Sequence, residues 1–155
     1  METTNLKLRS DAWVSGALGA VAVTVLNESG RRWLKDAPRL DVVGERGIRK
    51  LWHWGGRSAP RQPTLFRSAL TMDLVSNGAY YALVGWGSPR RPLLRGLALG
   101  AVAGLGAVWF TPAVGLGRRP VRRSARTALM TFAWYLAGGL VAGAVQRSLR
   151  RRELA

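Results

Sequence analysis

The chain of 155 residues contains no cysteine and a single histidine, His53. The lack of cysteine excludes disulfide bonds, thiolate metal sites and a cysteine nucleophile, and one histidine excludes a metal centre built from several histidines. The sequence also lacks a phosphate-binding loop, a dinucleotide-binding glycine motif, a nucleophile elbow and a zinc-protease motif. We therefore expect no metal and no cofactor, and the sequence identifies no catalytic residue.

Acidic residues are scarce as well, with eight Asp and Glu against 24 Lys and Arg, which gives a net charge of +16. Such a charge is typical of nucleic-acid-binding proteins, but its distribution along this chain indicates another class. Half of the residues lie in four apolar stretches that contain one charged side chain, Asp73: 12–27, 68–87, 96–117 and 127–146. This segregation predicts a multi-pass membrane protein and argues against nucleic acid as a partner, because no soluble domain remains to form a groove.

The first stretch, 12–27, follows a short polar lead, 1–11, and resembles a signal peptide because Ala20-Val21-Ala22 imitates a cleavage site. Apolar residues continue through Leu26, which favours a retained helix over a cleaved signal. Sixteen residues cover only about 24 Å as a helix, so a spanning helix has to extend beyond both ends of this stretch.

The hydrophilic segment 37–54 has the pattern of an amphipathic helix. Its apolar face comprises Leu40, Val43, Gly44, Gly47, Ile48, Leu51 and Trp52. Asp36 is a candidate N-cap, and Gly55-Gly56 is a stop signal. We interpret the segment as an interfacial helix with Trp52 and Trp54 at headgroup depth; the alternative is a lid packed on the ends of the spans.

The predicted fold is therefore an all-α membrane protein, a single domain over 1–155 with four transmembrane helices and one interfacial amphipathic helix. The short connection 88–95 predicts a tight antiparallel hairpin between the second and third spans. The loops 28–67 and 118–126 hold 15 Lys and Arg against nine on the other side, which places both termini outside. An excess of Arg over Lys suggests a GC-rich bacterial genome, hence a bacterial cytoplasmic membrane.

Asp73 is the one ionisable residue well within a predicted span, where a charge is costly and usually has a partner or lines a cavity. A polar stripe continues from it along one helix face, and the end of the first span emerges on the same side. The candidate substrate or ion site is therefore Asp73, Asn77, Ser76, Tyr80, Tyr81 and Glu28. The structural alternative, which we favour, is a buried ion pair with Arg67, Arg123 or Arg126 or a hydrogen-bonded clamp between helices.

Glycines recur every four residues in the last two spans. The two ladders are Gly96, Gly100 and Gly104 in 96–117, and Gly139 and Gly143 in 127–146. Such spacing allows two helix backbones to approach closely in lipid. Internal packing of these spans is the preferred interpretation; the alternative is association with a second copy.

Clusters of basic residues flank the spans and favour a bilayer with anionic lipids as the main partner. The candidates for headgroup contact are Arg46, Arg49, Lys50, Arg118, Arg119, Arg122, Arg123 and Arg126. The simpler interpretation is that these residues are anchors that set the topology. The functional interpretation is that they recognise specific headgroups.

Three functions remain after these exclusions. The first is a non-enzymatic structural, accessory or assembly subunit with a membrane-protein partner or as a homo-oligomer. The second is a small ion- or proton-coupled transporter or channel that uses Asp73 and Asn77. The third is an enzyme acting on a lipid or lipid-linked substrate, with Asp73 and His53 as acid–base groups. We prefer them in that order, because no catalytic constellation is evident.

Overall fold

The computed structural model describes residues 2–86 and 91–153, and every regular element in these ranges is a helix. The helices are α1 (Glu2–Trp33), α2 (Leu40–Trp54), α3 (Thr64–Ala82), α4 (Pro92–Ala113), α5 (Arg119–Arg122) and α6 (Ala125–Glu153). A single 3-10 turn, Leu83–Gly85, continues α3. The all-α prediction is confirmed.

The four long helices pack in the order α4, α6, α1, α3, and α2 lies across α3 and against α5. The predicted tight hairpin between the second and third spans is wrong, because α3 and α4 barely touch and α4 packs on α6 instead. One link joins α3 to α4, a hydrogen bond of 2.9 Å from the Tyr80 hydroxyl to the Leu99 carbonyl. Residues 88–90 of the predicted turn and residue 87, the last of the predicted span 68–87, lie outside the described residues.

The glycine ladders fill the seam between α4 and α6. A Cβ added to Gly96 would collide with the carbonyl oxygen of Gly139, and one added to Gly143 would lie 2.7 Å from the Pro92 carbonyl. Gly100 lies equally close to the backbone of α6, whereas Gly106, on the other side of α4, has no atom within 4 Å of a Cβ. Direct contact between backbones explains why α4 prefers α6 to its neighbour in sequence.

Two helices are longer than their apolar stretches. The predicted polar lead 1–11 is wrong as a separate segment, since α1 begins at Glu2, and α6 continues through the basic tail to Glu153. Helical hydrogen bonds tolerate exposed polar residues, so hydropathy marks depth in a bilayer rather than the end of a helix. Helix α4 starts earlier than predicted, at Pro92, and ends one residue after Pro112.

The amphipathic helix begins at Leu40, three residues later than predicted, and Asp36 is not its N-cap. The Asp36 carboxylate instead accepts a hydrogen bond of 2.9 Å from Arg123, which joins the two basic loops. The helix ends at Trp54, where Gly56 with a φ of 69° turns the chain back. Leu40 and Ile48 are buried against the bundle.

Only α4 and α6, among the described helices, are long and apolar enough to cross a membrane by length and composition. The prediction of four transmembrane helices is therefore supported for two of the four. The apolar stretch of α1 has 16 residues, and α3 contains both Arg67 and Asp73, which lowers its mean hydropathy.

The bundle exposes many large apolar side chains and buries several polar ones beside its apolar core. Helix α1 exposes Val14, Leu18, Val21 and Val25 along one face. The buried polar residues are Asp11, Ser15, Asn27, Thr111, Thr127, Thr131 and Gln146. An exposed apolar surface of this extent marks an interaction with lipid or with another protein.

Tryptophans occupy the two ends of the bundle. Trp13 and Trp86 are exposed at the end that carries Gly85, and Trp134 is buried. The end that carries α2, called the α2 end below, exposes Trp33, Trp52, Trp54 and Trp109. The guanidinium of Arg122 lies 4.3 Å from the ring centre of Trp109.

Candidate functional site: a cleft beneath helix α2

Asp73 lies half-buried on α3 below α2, and a neutral side chain is its partner. The amide nitrogen of Asn77, one turn later, donates a hydrogen bond of 2.9 Å to the Asp73 carboxylate. Among the described residues no Lys, Arg or His nitrogen lies within 4 Å of that carboxylate. The predicted ion pair with an arginine is therefore wrong, since Arg123 and Arg126 pair with Asp36 at 2.9 and 3.9 Å.

Two clefts meet at Asp73. The larger, called the Asp73 cleft here, has a volume of about 200 Å³ and lies between α2, α3, α4 and α6. Its apolar wall includes Val43, Ile48, Leu51, Met72, Ala107 and Leu116. Its polar lining consists of Asp73, Ser76, Thr111 and Tyr135, so one carboxylate faces a mostly apolar space.

The smaller cleft lies between α1, α2 and α3, and Asp73, Glu28 and Asp41 line it. Two of these carboxylates have cationic partners: Glu28 pairs with Arg31 at 2.5 Å, and Asp41 pairs with Arg39 at 2.8 Å. Burial raises the pKa of Asp41, but the hydrogen bonds and charge of Arg39 outweigh it and hold that pKa below its usual value. Asp73 is therefore the carboxylate of this region without a cationic partner among the described residues.

The other candidates separate into a cleft group and a packing group. Ser76 donates a hydrogen bond of 3.2 Å to the Asp73 carbonyl and lines the Asp73 cleft. The hydroxyl of Tyr81 is buried and donates to the Tyr135 carbonyl at 2.7 Å, while Tyr80 joins α3 to α4. The tyrosines therefore connect helices, and Glu28 belongs to the smaller cleft.

The structure does not bring His53 and Asp73 together. His53 lies near the carboxyl end of α2 and lines a separate surface cleft with Arg49. The two groups named for acid–base catalysis therefore do not share a site. Within the described residues there is also no group of three His, Cys, Asp or Glu side chains that could hold a metal.

Two residues of the Asp73 cleft, Thr111 and Tyr135, were not predicted. They come from α4 and α6, and each lies in an apolar run where a single hydroxyl carries no sequence signal. A helical-wheel comparison within one helix cannot reveal them, because the cleft is built from four helices.

A second polar cluster that was not predicted lies at the end of the bundle opposite α2. With its amide oriented to satisfy both atoms, Gln146 donates to Ser15 Oγ at 2.9 Å and accepts from Arg150 Nε at 3.2 Å. Arg150 also donates to the Gly85 carbonyl at 3.0 Å. Asp11 is buried beside this cluster with one carboxylate oxygen unpartnered. The signal for Asp11 in the sequence was its position four residues before Ser15, one helical turn away.

The predicted headgroup residues fall into those that bond other parts of the protein and those that stay exposed. Arg46 and Lys50 donate to the carbonyls of Leu116 and Val114 at 2.7 and 2.5 Å. Arg122 stacks on Trp109, and Arg123 and Arg126 pair with Asp36. The exposed remainder comprises Arg49, Arg118 and Arg119.

No family model, no curated protein and no solved structure matches the chain. The fold by itself defines the class: the described residues form an all-helical protein, and two of its helices are long and apolar enough to span a membrane.

Proposed function

We propose that the protein is a four-span integral membrane protein in which α1 and α3 cross the bilayer beside α4 and α6. The outward apolar face of α1 and the exposed apolar residues of α3, such as Met72 and Val75, support this proposal. On α1, Trp13 and Trp33 are twenty residues apart, which is about 30 Å along a helix and the thickness of the hydrocarbon core. Exposed tryptophans at both ends match the aromatic belts of membrane proteins.

The α2 end faces the cytoplasm of a bacterium in this proposal. The segments 28–67 and 118–126 meet at that end through Asp36 and Arg123, and together they contain 15 of the 24 Lys and Arg.

Cysteine labelling tests the topology, because the natural chain has no cysteine of its own. In intact cells an impermeant thiol reagent should label Arg152→Cys and leave Ser58→Cys and Ser124→Cys unlabelled until lysis. A tag placed before Glu2 should be accessible from outside, as Arg152→Cys is. Labelling of Ser58→Cys in intact cells would contradict the orientation, and a tag on the opposite side from Arg152→Cys would contradict four crossings.

We further propose that the protein binds a small organic cation with an apolar body in the Asp73 cleft. One observation carries this proposal: the Asp73 carboxylate has no cationic partner among the described residues and lines an apolar cleft of about 200 Å³. A charged group at membrane depth is retained where it faces a partner or a cavity. The carboxylate would pair with an ammonium group while the side chains of α2 and α3 cover the apolar body.

This role belongs to the transporter or channel hypothesis rather than to the accessory-subunit hypothesis. The ion-pair alternative for Asp73 needed an arginine partner, and two of the three arginines named for it, Arg123 and Arg126, pair with Asp36 instead. The ligand would enter from the bilayer side, where Met72 and Ser76 are exposed at the rim of the cleft.

Binding is tested with the purified full chain and two probes, hexylammonium and the neutral alcohol hexanol. Hexylammonium should bind saturably, and Asp73→Asn should weaken it by about tenfold or more while keeping a side chain that can bond Asn77. Glu28→Gln is the matched control, because that carboxylate already pairs with Arg31. Equal affinity for both probes, or unchanged affinity in Asp73→Asn, would reject the cation site.

A further inference from the structure

A surface cleft at the carboxyl end of α2 has a composition unlike that of the Asp73 cleft. Its volume is about 500 Å³, and its charged or titratable lining consists of Arg49, His53 and Arg57. Gly56, Ser58 and Ala59 complete the wall, and no acidic residue contributes. The three side chains are each four residues apart, so the first two share one face of α2.

The turn after α2 brings Arg57 to this face. Gly56 adopts a φ of 69°, and the Arg57 backbone N–H then donates to the Trp52 carbonyl at 2.9 Å. The N–H groups of Gly55 and Gly56 bond the Leu51 and His53 carbonyls in the same turn. Three of the last four carbonyls of α2, those of Leu51, Trp52 and His53, are thus satisfied, which reduces the repulsion that a helix carboxyl end exerts on an anion.

Arg49 and Arg57 both line the cleft and have no carboxylate partner among the described residues. Arg31, Arg39 and Arg123 pair with carboxylates. Arg46 and Lys50 bond carbonyl oxygens, as described above. The cleft therefore brings together an imidazole and two guanidinium groups that have no carboxylate partner. All three groups can donate hydrogen bonds to phosphate oxygens.

An apolar surface adjoins the basic cleft directly. A neighbouring cleft of about 370 Å³ is lined by Leu51, Trp52, Gly55 and Arg57, so one arginine borders both. Leu51 is 50% exposed and Trp54 is 71% exposed on the same turn of helix. A ligand that fills both clefts has an anionic head and an apolar tail.

We propose that Arg49, His53 and Arg57 form a binding site for the phosphate headgroup of an anionic phospholipid, with its acyl chain along Leu51 and Trp52. This site lies beyond the proposed cation-binding function and does not depend on Asp73. A soluble phosphate shares the head chemistry but leaves the apolar surface uncovered, so the adjoining apolar cleft favours a lipid.

The test uses the full chain in detergent, titrated with phosphatidylglycerol or phosphatidylcholine and followed by native mass spectrometry. Arg49→Gln combined with Arg57→Gln should weaken binding of the first phosphatidylglycerol by about tenfold or more. Arg151→Gln combined with Arg152→Gln removes the same charge from exposed positions at the other end of the bundle and should change binding by less than about twofold. Arg57→Lys should retain most of the affinity, because it keeps the charge.

Two results would overturn the site. Equal losses in the two double variants would mean that the lipid responds to net charge alone. Displacement of phosphatidylglycerol by millimolar inorganic phosphate would mean that the cleft takes a free anion. Since all four arginines are exposed, unchanged circular dichroism should accompany both double variants, and Asp73→Asn should bind phosphatidylglycerol as the natural chain does.

Discussion

The two sides of the bundle are packed by different means. Between α4 and α6 backbone meets backbone at Gly96, Gly139 and Gly143, and no space is left for even one methyl group. Between α2 and α3 the side chain of Ile48 packs on Leu65 and Ala69, and the Asp73 cleft opens beside this contact toward α4 and α6. Close backbone contact fixes the geometry of a helix pair, whereas side-chain contact leaves volume that a ligand can occupy.

The sharpest test of this difference adds one methyl group to each of two positions on α4. Gly96→Ala should destabilise the protein by about 2–3 kcal/mol, because the new Cβ collides with the backbone of α6. Gly106→Ala adds the same group to open space and should be neutral or stabilising by up to about 1 kcal/mol. Thermal unfolding in detergent compares the two. Similar melting temperatures for both variants would show that the contact between α4 and α6 leaves room for a methyl group at Gly96.

At the contact between α2 and α3, truncating an apolar side chain should lower the stability by an amount that depends on its position along α2. Ile48→Ala should cost about 2–3 kcal/mol because that side chain is buried against α3. Leu51→Ala should cost less than about 1 kcal/mol because Leu51 is half-exposed. The same unfolding assay measures both. An equal loss at the two positions would mean that the whole apolar face of α2 is a lid, and no loss at either would place α2 on the membrane alone.

The smallest expected effect concerns the ion pair that holds the start of α2. The pKa of Asp41 is lowered in the folded protein, so the ionised form stabilises the fold. Its contribution is complete above about pH 4 and declines as pH falls below that value. Asp41→Asn should therefore cost about 0.5–1 kcal/mol at pH 7, since Arg39 is half-exposed, and progressively less as the pH falls below about 4. A penalty that grows on acidification would contradict this account.

The sequence alone predicted where the five long helices lie, although not where they end, and it predicted which faces carry the glycines. The apolar runs predicted the positions of α1, α3, α4 and α6, because a long apolar run between polar segments favours a helix. Repeats of four residues placed Gly96 and Gly139 on single faces, and those faces meet in the structure. The ends of α1 and α6 were not predictable, because polar residues continue a helix as readily as they leave it.

The environment of Asp73 could not be predicted from one sequence. Three arginines were predicted to lie on the same side of the membrane as Asp73, and two of them pair instead with Asp36, which the sequence indicated as a helix cap. Thr111 and Tyr135 reach the cleft only through the tertiary arrangement. Contacts between helices decide these partners, and such contacts are not periodic within any one helix.

The hydrogen bonds from α2 to the end of α4 bear on the order in which the chain is assembled. Val114 and Leu116 follow the last turn of α4, and their carbonyls accept from Lys50 and Arg46. The last carbonyls of α4 itself, those of Phe110, Thr111 and Pro112, are satisfied by the next N–H groups along the chain, so Lys50 and Arg46 secure the turn that follows the helix. Ribosomal synthesis delivers these two donors 64 and 70 residues before the carbonyls that they bond, so both are already present when the turn emerges. Deleting α2 would therefore leave the turn after α4 without these two donors.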